Sequence, residues 1–81
     1  MRKVYISLPS VKVVQNFVAQ ISKLEGHFDI KEDVYVLDAK SLMGILSLDL
    51  SKPIQLIIEK DTEETMQIIK HFVVNANSVS A

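Results

Sequence analysis

The side chains that could do chemistry in this sequence are few and far apart. It has two histidines and no cysteine, so no thiolate is available as a nucleophile or metal ligand. His27 and His71 lack the spacing of metal ligands, and His27 precedes a core-facing position of a predicted strand. His71 falls on the polar side of a predicted helix. We therefore expect two exposed surface histidines, no catalytic residue, no metal site, no cofactor and no enzymatic activity.

Two serines each precede an apolar pattern typical of a helix, which makes both of them good N-caps. Ser10 and Lys12 lie at the start of the first predicted helix, where free backbone N–H groups favour anions. They form a candidate weak site for sulfate or phosphate. The simpler interpretation, which we favour, is that Ser10 only caps the helix and Lys12 is a solvated charge.

Ser41 begins a short predicted helix that is apolar on more than one side. At about 100° per residue, Ile45 and Leu48 share one side of this helix. A second side carries Leu42, Met43 and Leu46. A helix lying on a sheet buries one side, so part of this set is expected to form an exposed apolar patch that binds a partner. The alternative is that so short a helix lies deep in the core of a small protein.

Composition and charge argue against nucleic acid and membranes as partners. The net charge of −1 provides no positive field for phosphate backbones or anionic lipids. No apolar run matches a signal peptide or the roughly 18 residues that cross a bilayer. The lack of cysteine suits a cytoplasmic location. Residues 75–81 are small and polar, and we expect them to fray.

Hydrophobic periodicity divides the chain into seven elements. Alternation predicts strands near residues 4–8, 28–30, 34–36 and 54–58. Residues 31–33 form the predicted polar turn of a hairpin. Helical spacing predicts a first helix that Ser10 caps and Gly26 ends, as its C-cap or in the following turn. The last helix is predicted to start at a capping box of Asp61 and Glu64. Its apolar stripe comprises Met66, Ile69, Phe72, Val73 and Ala76.

The order strand, helix, strand, strand, helix, strand, helix predicts an α+β fold. The simplest packing is a four-stranded antiparallel sheet with three helices on one face. A chain of 81 residues has room for one core, and it contains no internal repeat or linker. We therefore predict a single domain over residues 1–81, with residues 75–81 as a tail.

Residues 38–48, Asp-Ala-Lys-Ser-Leu-Met-Gly-Ile-Leu-Ser-Leu, resemble the sequence around the regulatory serine of the HPr family. These proteins are the histidine-containing phosphocarriers of the bacterial sugar phosphotransferase system. The resemblance extends back to the first helix and forward through the last one, so it covers essentially the whole chain. It implies the open-faced β-sandwich of that family, with the βαββαβα order predicted above.

In the HPr family the phosphoryl group is carried by a histidine at the start of the first helix, followed by an arginine and a proline. The resemblance places Ser10 at the histidine position, Lys12 at the arginine position and Val13 at the proline position. A serine hydroxyl is a weak nucleophile without an adjacent base, and its phosphate ester is stable. The resemblance therefore implies a carrier motif that lacks its phosphoryl acceptor.

The resemblance also implies a regulatory site at the short helix. Ser41 matches the serine that an HPr kinase/phosphorylase phosphorylates in many members of the family. The positions of Leu42, Met43 and Leu46 match the apolar surface used by enzyme I, by the kinase and by a transcriptional regulator. A phosphate on Ser41 would add about two negative charges at a helix N-terminus, where they are stabilising. Otherwise Ser41 is simply a cap.

Three hypotheses follow for function. The leading one is an HPr-like protein without the phosphoryl-accepting histidine, acting as a regulatory or adaptor protein in sugar uptake or carbon control. The second is a phosphocarrier component of the phosphotransferase system that uses a displaced acceptor residue. The third is an HPr-like fold recruited to an unrelated interaction or to self-assembly. The sequence leaves the oligomeric state open.

Overall fold

The computed structural model describes residues 1–74. The tail predicted for residues 75–81, and Ala76 of the predicted stripe, lie outside the described residues. The observed order of elements is the predicted one. In chain order they are β1 (Arg2–Ile6), α1 (Val11–Ile21), β2 (Phe28–Glu32), β3 (Tyr35–Asp38), α2 (Leu42–Leu46), β4 (Ile54–Ile58) and α3 (Glu63–Ile69).

The four strands form one antiparallel sheet in the order β1-β4-β2-β3. Because side chains alternate along a strand, residues that pair across the strands share a face. Val4, Leu56, Ile30 and Leu37 make one row on the inner face. The next row, Tyr5, Gln55, Lys31 and Val36, lies on the outer face. The predicted alternation therefore separates an apolar face from a mainly polar one.

All three helices contribute buried side chains to the core against the inner face. Phe17 of α1, Ile45 of α2 and Ile69 of α3 are fully buried. The rings of Phe17 and Phe72 meet edge to face, with 5.1 Å between their centroids. This arrangement confirms the predicted α+β open-faced sandwich, with the helices on one side of the sheet. Within residues 1–74, the helices are too short or too polar to cross a bilayer.

The N-cap of α1 is the predicted one, and the helix ends before Gly26. Ser10 is the N-cap, and its Oγ accepts a hydrogen bond from the backbone N–H of Val13 at 3.2 Å. The helix stops at Ile21, with Ser22 as the C-cap. Gly26 lies in the turn before β2 with φ of 91°, a conformation that glycine adopts without strain. It therefore shapes the turn, which was the second of the two predicted roles.

The predicted capping box of α3 is wrong. Thr62 is the N-cap, and its Oγ1 accepts a hydrogen bond from the N–H of Thr65 at 3.2 Å. The carboxylate of Asp61 instead accepts a hydrogen bond from Arg2 Nε at 3.1 Å. Because the cap lies one residue later, the box spacing to Glu64 is lost.

The apolar stripe predicted for α3 continues beyond the helix. The helix ends at Ile69, and Phe72 is buried in the chain that follows it. Val73 forms a β-bridge with Ile6, at the outer edge of β1. The stripe therefore belongs to two structures, a helix of two turns and a short extended segment that covers part of an edge strand.

The β2–β3 hairpin turns one residue later than predicted. Glu32 pairs with Tyr35, so Asp33 and Val34 form the turn. Asp33 has φ of 54°, which aspartate tolerates better than most residues. Val34 is consequently in the turn instead of the strand, and Leu37 is the β3 residue that packs against the core.

Candidate functional site

Ser41 lies at the N-terminus of α2 and its side chain is part of the backbone geometry there. Its Oγ accepts a hydrogen bond from the N–H of Gly44 at 3.3 Å, as the predicted N-cap should. Its own N–H donates to the carbonyl of Asp38 at 3.0 Å. Ser41 is exposed, so its hydroxyl is accessible from solvent.

Gly44 allows this cap to form at short range. A Cβ at position 44 would lie 3.0 Å from the Oγ of Ser41 and 3.4 Å from Cδ1 of Leu37. The first distance is shorter than side-chain atoms normally tolerate. The missing side chain therefore lets α2 pack against β3 while Ser41 keeps its hydrogen bond.

The apolar residues of α2 differ widely in exposure. Met43 is 78% exposed. Leu42 and Leu46 are half-buried and pack against the core, and Ile45 is fully buried. The three residues of the predicted patch therefore present one full side chain and the outer parts of two others.

The charges around Ser41 are held in fixed positions. Lys40 Nζ donates a hydrogen bond to the carbonyl of Leu24 at 3.2 Å and lies 5.5 Å from the ring centroid of Phe28. Its ammonium therefore faces inward, away from the Ser41 hydroxyl. The Asp38 carboxylate accepts a hydrogen bond from the N–H of Lys40 at 2.8 Å. An anion on Ser41 would thus gain from the start of α2 and lose some of that gain to Asp38.

The second predicted site, at Ser10 and Lys12, has the geometry of a capped helix. The Ser10 hydroxyl is engaged with Val13, and the Ser10 carbonyl accepts the N–H of Val14 at 3.0 Å. Lys12 is exposed on the first turn of α1. The N–H groups of Val11 and Lys12 are the other donors of this first turn.

The two histidines are exposed, as predicted, but one of them has a partner that the sequence analysis missed. His27 Nε2 lies 2.8 Å from Oδ1 of Asp29. Part of the signal was available, since His27 directly precedes β2 and residues two apart in extended chain share a face. His71 lies just after the end of α3, and not on the polar side of that helix as predicted. In residues 1–74, no group of three acidic or histidine side chains is placed to hold a metal.

Comparison with known proteins finds a match among solved structures. No protein-family model matches the chain, and no curated protein does. Among solved structures, the crystal structure of HPr-C-His from Thermoanaerobacter tengcongensis superposes with a TM-score of 0.73. The two sequences are 27% identical, and the match covers 90% of this chain and 91% of that one.

The chain has an HPr-like fold. The match spans nearly the full length of both chains, so it covers most of the sheet and of the helices.

Proposed function

We propose that this chain is an HPr-like regulatory or adaptor protein that binds partners through α2. The contact surface is Leu42, Met43 and Leu46. The main support is Met43, a large apolar side chain left 78% exposed on a helix whose other apolar residues pack inward. Methionine is flexible and polarizable, so it adapts to the shape of a protein partner.

The protein does not carry phosphoryl groups on histidine in this proposal. Ser10 occupies the N-cap of α1, where the resemblance expects the acceptor, and its hydroxyl is hydrogen-bonded to Val13. Lys12 replaces the arginine and leaves a single cation near the helix start. Ser10 and Lys12 retain a weak affinity for anions at most, because the Ser10 hydroxyl already accepts the N–H of Val13, one of the free donors of the first turn.

Ser41 is the proposed switch of the partner surface. It is exposed, and it directly precedes Leu42 and Met43. Phosphorylation would replace a neutral cap with a dianion at the same helix start. The added charge lies beside the apolar contact, so it would favour partners with cations there and reject partners with acidic rims. The proposed setting is sugar uptake or carbon control in the cytoplasm, with one domain spanning residues 1–81.

Incubation with enzyme I and labelled phosphoenolpyruvate tests the proposal directly. We expect no acid-labile label on the wild-type chain, together with reversible binding of enzyme I that broadens the amide NMR signals of α2. Stoichiometric acid-labile label would contradict the absence of a histidine carrier. Unchanged α2 signals would contradict the contact surface. An HPr kinase assay, with Ser41→Ala as control, tests the switch separately.

The alternative of a displaced acceptor has one observation in its favour. The carboxylate of Asp29 holds His27 Nε2 at 2.8 Å, and such a contact can orient an imidazole so that its other nitrogen is a nucleophile. Against it, Glu59 Oε1 accepts the backbone N–H of His27 at 3.1 Å. One carboxylate at the imidazole and a second at the backbone of the same residue would repel an incoming phosphoryl group. If label appears, His27→Asn should abolish it and His71→Asn should not.

A further inference from the structure

The two edges of the sheet differ in how the chain covers them. At the β1 edge, the extended segment after α3 forms backbone hydrogen bonds. The N–H of Val74 donates to the carbonyl of Tyr5 at 2.9 Å, and the N–H of Ser7 donates to the carbonyl of Phe72 at 3.0 Å. At the β3 edge, no strand within residues 1–74 pairs with the outer side of β3.

The β3 edge has the chemistry of a strand that accepts another strand. Ala39 N–H donates to the carbonyl of Phe28, so by alternation the backbone groups of Val36 and Asp38 point away from β2. The side chains there are large and apolar, with Val34, Tyr35 and Val36 exposed by 87%, 66% and 58%. Natural edge strands usually carry lysine, proline or a bulge that blocks pairing. Residues 34–37, Val-Tyr-Val-Leu, carry no charge and no proline.

Acidic residues flank this apolar edge at both ends. Asp33 lies in the turn that precedes β3, and Asp38 ends the strand. Asp29 lies directly across from Asp38 on the outer face, which adds a second carboxylate at that end. Lys31 is the one cation on the neighbouring strand, and it lies beside Val36 at the middle of the edge. A complementary strand therefore has an apolar centre and basic flanks.

A second copy of this chain does not have that pattern. Antiparallel pairing of β3 with itself about Val36 would place Asp38 of each copy beside the acidic turn of the other. Like charges placed opposite each other destabilise a strand pair. The edge of β1 does not serve either, because Tyr5 and Ser7 already bond to the segment at residues 72–74, and the basic side chain of Arg2 is paired with Asp61. The charge pattern thus favours a different protein as the occupant.

We propose that the outer edge of β3 binds an extended segment of a partner protein by strand addition. The segment runs antiparallel to β3, with apolar side chains opposite Tyr35 and Leu37 and basic residues opposite the acidic ends. Backbone hydrogen bonds to both groups of Val36 and to the N–H of Asp38 supply affinity, since the Asp38 carbonyl already accepts the N–H of Ser41. The flanking charges supply register. This edge differs from the apolar contact surface of α2, although the two adjoin at Asp38, whose carbonyl accepts the N–H of Ser41.

The test uses the full chain and the synthetic peptide acetyl-Thr-Lys-Val-Thr-Val-Lys-Thr-amide. A matched peptide with glutamate in place of both lysines is the control. We expect the lysine peptide to shift the NMR signals of β3 and to slow hydrogen exchange at the Val36 and Asp38 amides. The glutamate peptide should bind at least about tenfold more weakly.

Two variants of one residue separate strand addition from simple apolar contact. Val36→Pro removes the outward N–H but spares the bonds to β2, because proline is accepted at such edge positions. It should lower affinity for the lysine peptide by about tenfold or more, while Val36→Thr stays within about threefold of wild type. Equal binding by Val36→Pro and wild type would overturn strand addition. Self-association that Val36→Pro abolishes would overturn the choice of a foreign partner.

Discussion

The Oγ of Ser41 accepts the N–H of Gly44 at 3.3 Å, and a Cβ at position 44 would come within 3.0 Å of that same oxygen. The cap of α2 and the glycine three residues later are therefore one structural unit. A side chain at position 44 would require the hydroxyl of the proposed switch residue to shift by a few tenths of an ångström.

The coupling of these two residues can be measured by a double-mutant cycle. Ser41→Ala should destabilise the protein by about 1 kcal/mol, the usual effect of losing an N-cap. In a Gly44→Ala background the added methyl should push the Ser41 Oγ out of its hydrogen-bonding position, so Ser41→Ala should then reduce stability much less. Urea unfolding of the four proteins gives the coupling energy. Additive effects of the two substitutions would show that the cap does not depend on Gly44.

Met43 provides a cleaner test of the proposed contact than its neighbours do. Met43→Glu should weaken binding of enzyme I by about tenfold, since a charge would replace the exposed apolar contact. Its unfolding midpoint should match wild type.

Leu46→Asp is unsuitable, because Leu46 packs against the core and the variant would lose stability. Tyr5→Glu, on the outer face of the sheet, is the matched control and should bind normally. Isothermal titration calorimetry measures both variants.

Replacing Ser10 tests what remains of a phosphoryl-transfer site. Ser10→His puts an imidazole at the N-cap of α1, where first-turn N–H groups favour an anion. If enzyme I docks on α2, this variant should gain acid-labile label from phosphoenolpyruvate that wild type lacks. Combining it with Met43→Glu should reduce the rate of labelling by about tenfold. An unchanged rate of labelling in the double variant would show that enzyme I does not dock on α2.

Substitutions of two neighbouring residues test which of them caps α3. Thr62→Ala should destabilise the protein by about 1 kcal/mol, because Thr62 Oγ1 accepts the N–H of buried Thr65 and also bonds to its hydroxyl at 3.0 Å. Asp61→Ala should have a smaller effect, since it removes only an exposed ion pair. Thermal unfolding ranks the two variants. A larger loss of stability in Asp61→Ala than in Thr62→Ala would show that Asp61 is the cap.

The ion pair of Arg2 and Asp61 has a defined pH dependence. The hydrogen bond from Arg2 is the main cause that lowers the pKa of the Asp61 carboxyl below its ordinary value. A lowered pKa in the folded state means stability that is present above the ordinary value and is lost as pH falls through the lowered one. Arg2→Ala should therefore raise the pKa of Asp61, and the variant should approach wild-type stability below about pH 4. NMR titration of the Asp61 carboxyl checks the shift; an unchanged pKa would contradict it.

Hydrophobic periodicity was sufficient to predict the order of elements, because each strand and helix has one apolar face that packs on the same core. It was less reliable where an apolar run crosses a change of structure. Phe72 and Val73 continue the stripe of α3, yet the helix ends at Ile69 and the following backbone bonds to β1. Those hydrogen bonds depend on a strand at the other end of the chain, so no local pattern could reveal them.

The candidate site could be predicted in identity but not in exposure. The sequence placed Leu42, Met43 and Leu46 on one side of a helix, which is compatible with a patch or with burial. How far each side chain protrudes depends on how closely α2 approaches β3. Gly44 permits a close approach, because a Cβ there would lie 3.4 Å from Cδ1 of Leu37. The His27–Asp29 contact was missed because spacing alone does not specify rotamers.

The strand order β1-β4-β2-β3 has a consequence for how the chain folds. Only the β2–β3 hairpin joins neighbouring strands through a short loop. β4 must come in between β1 and β2, so Lys3 meets Ile57 only after most of the chain has been closed into a loop. Such distant contacts slow folding, and we expect β1 to join last. Until it does, β4 has an open side, so the assembling chain transiently has a second edge that can bind the wrong strand.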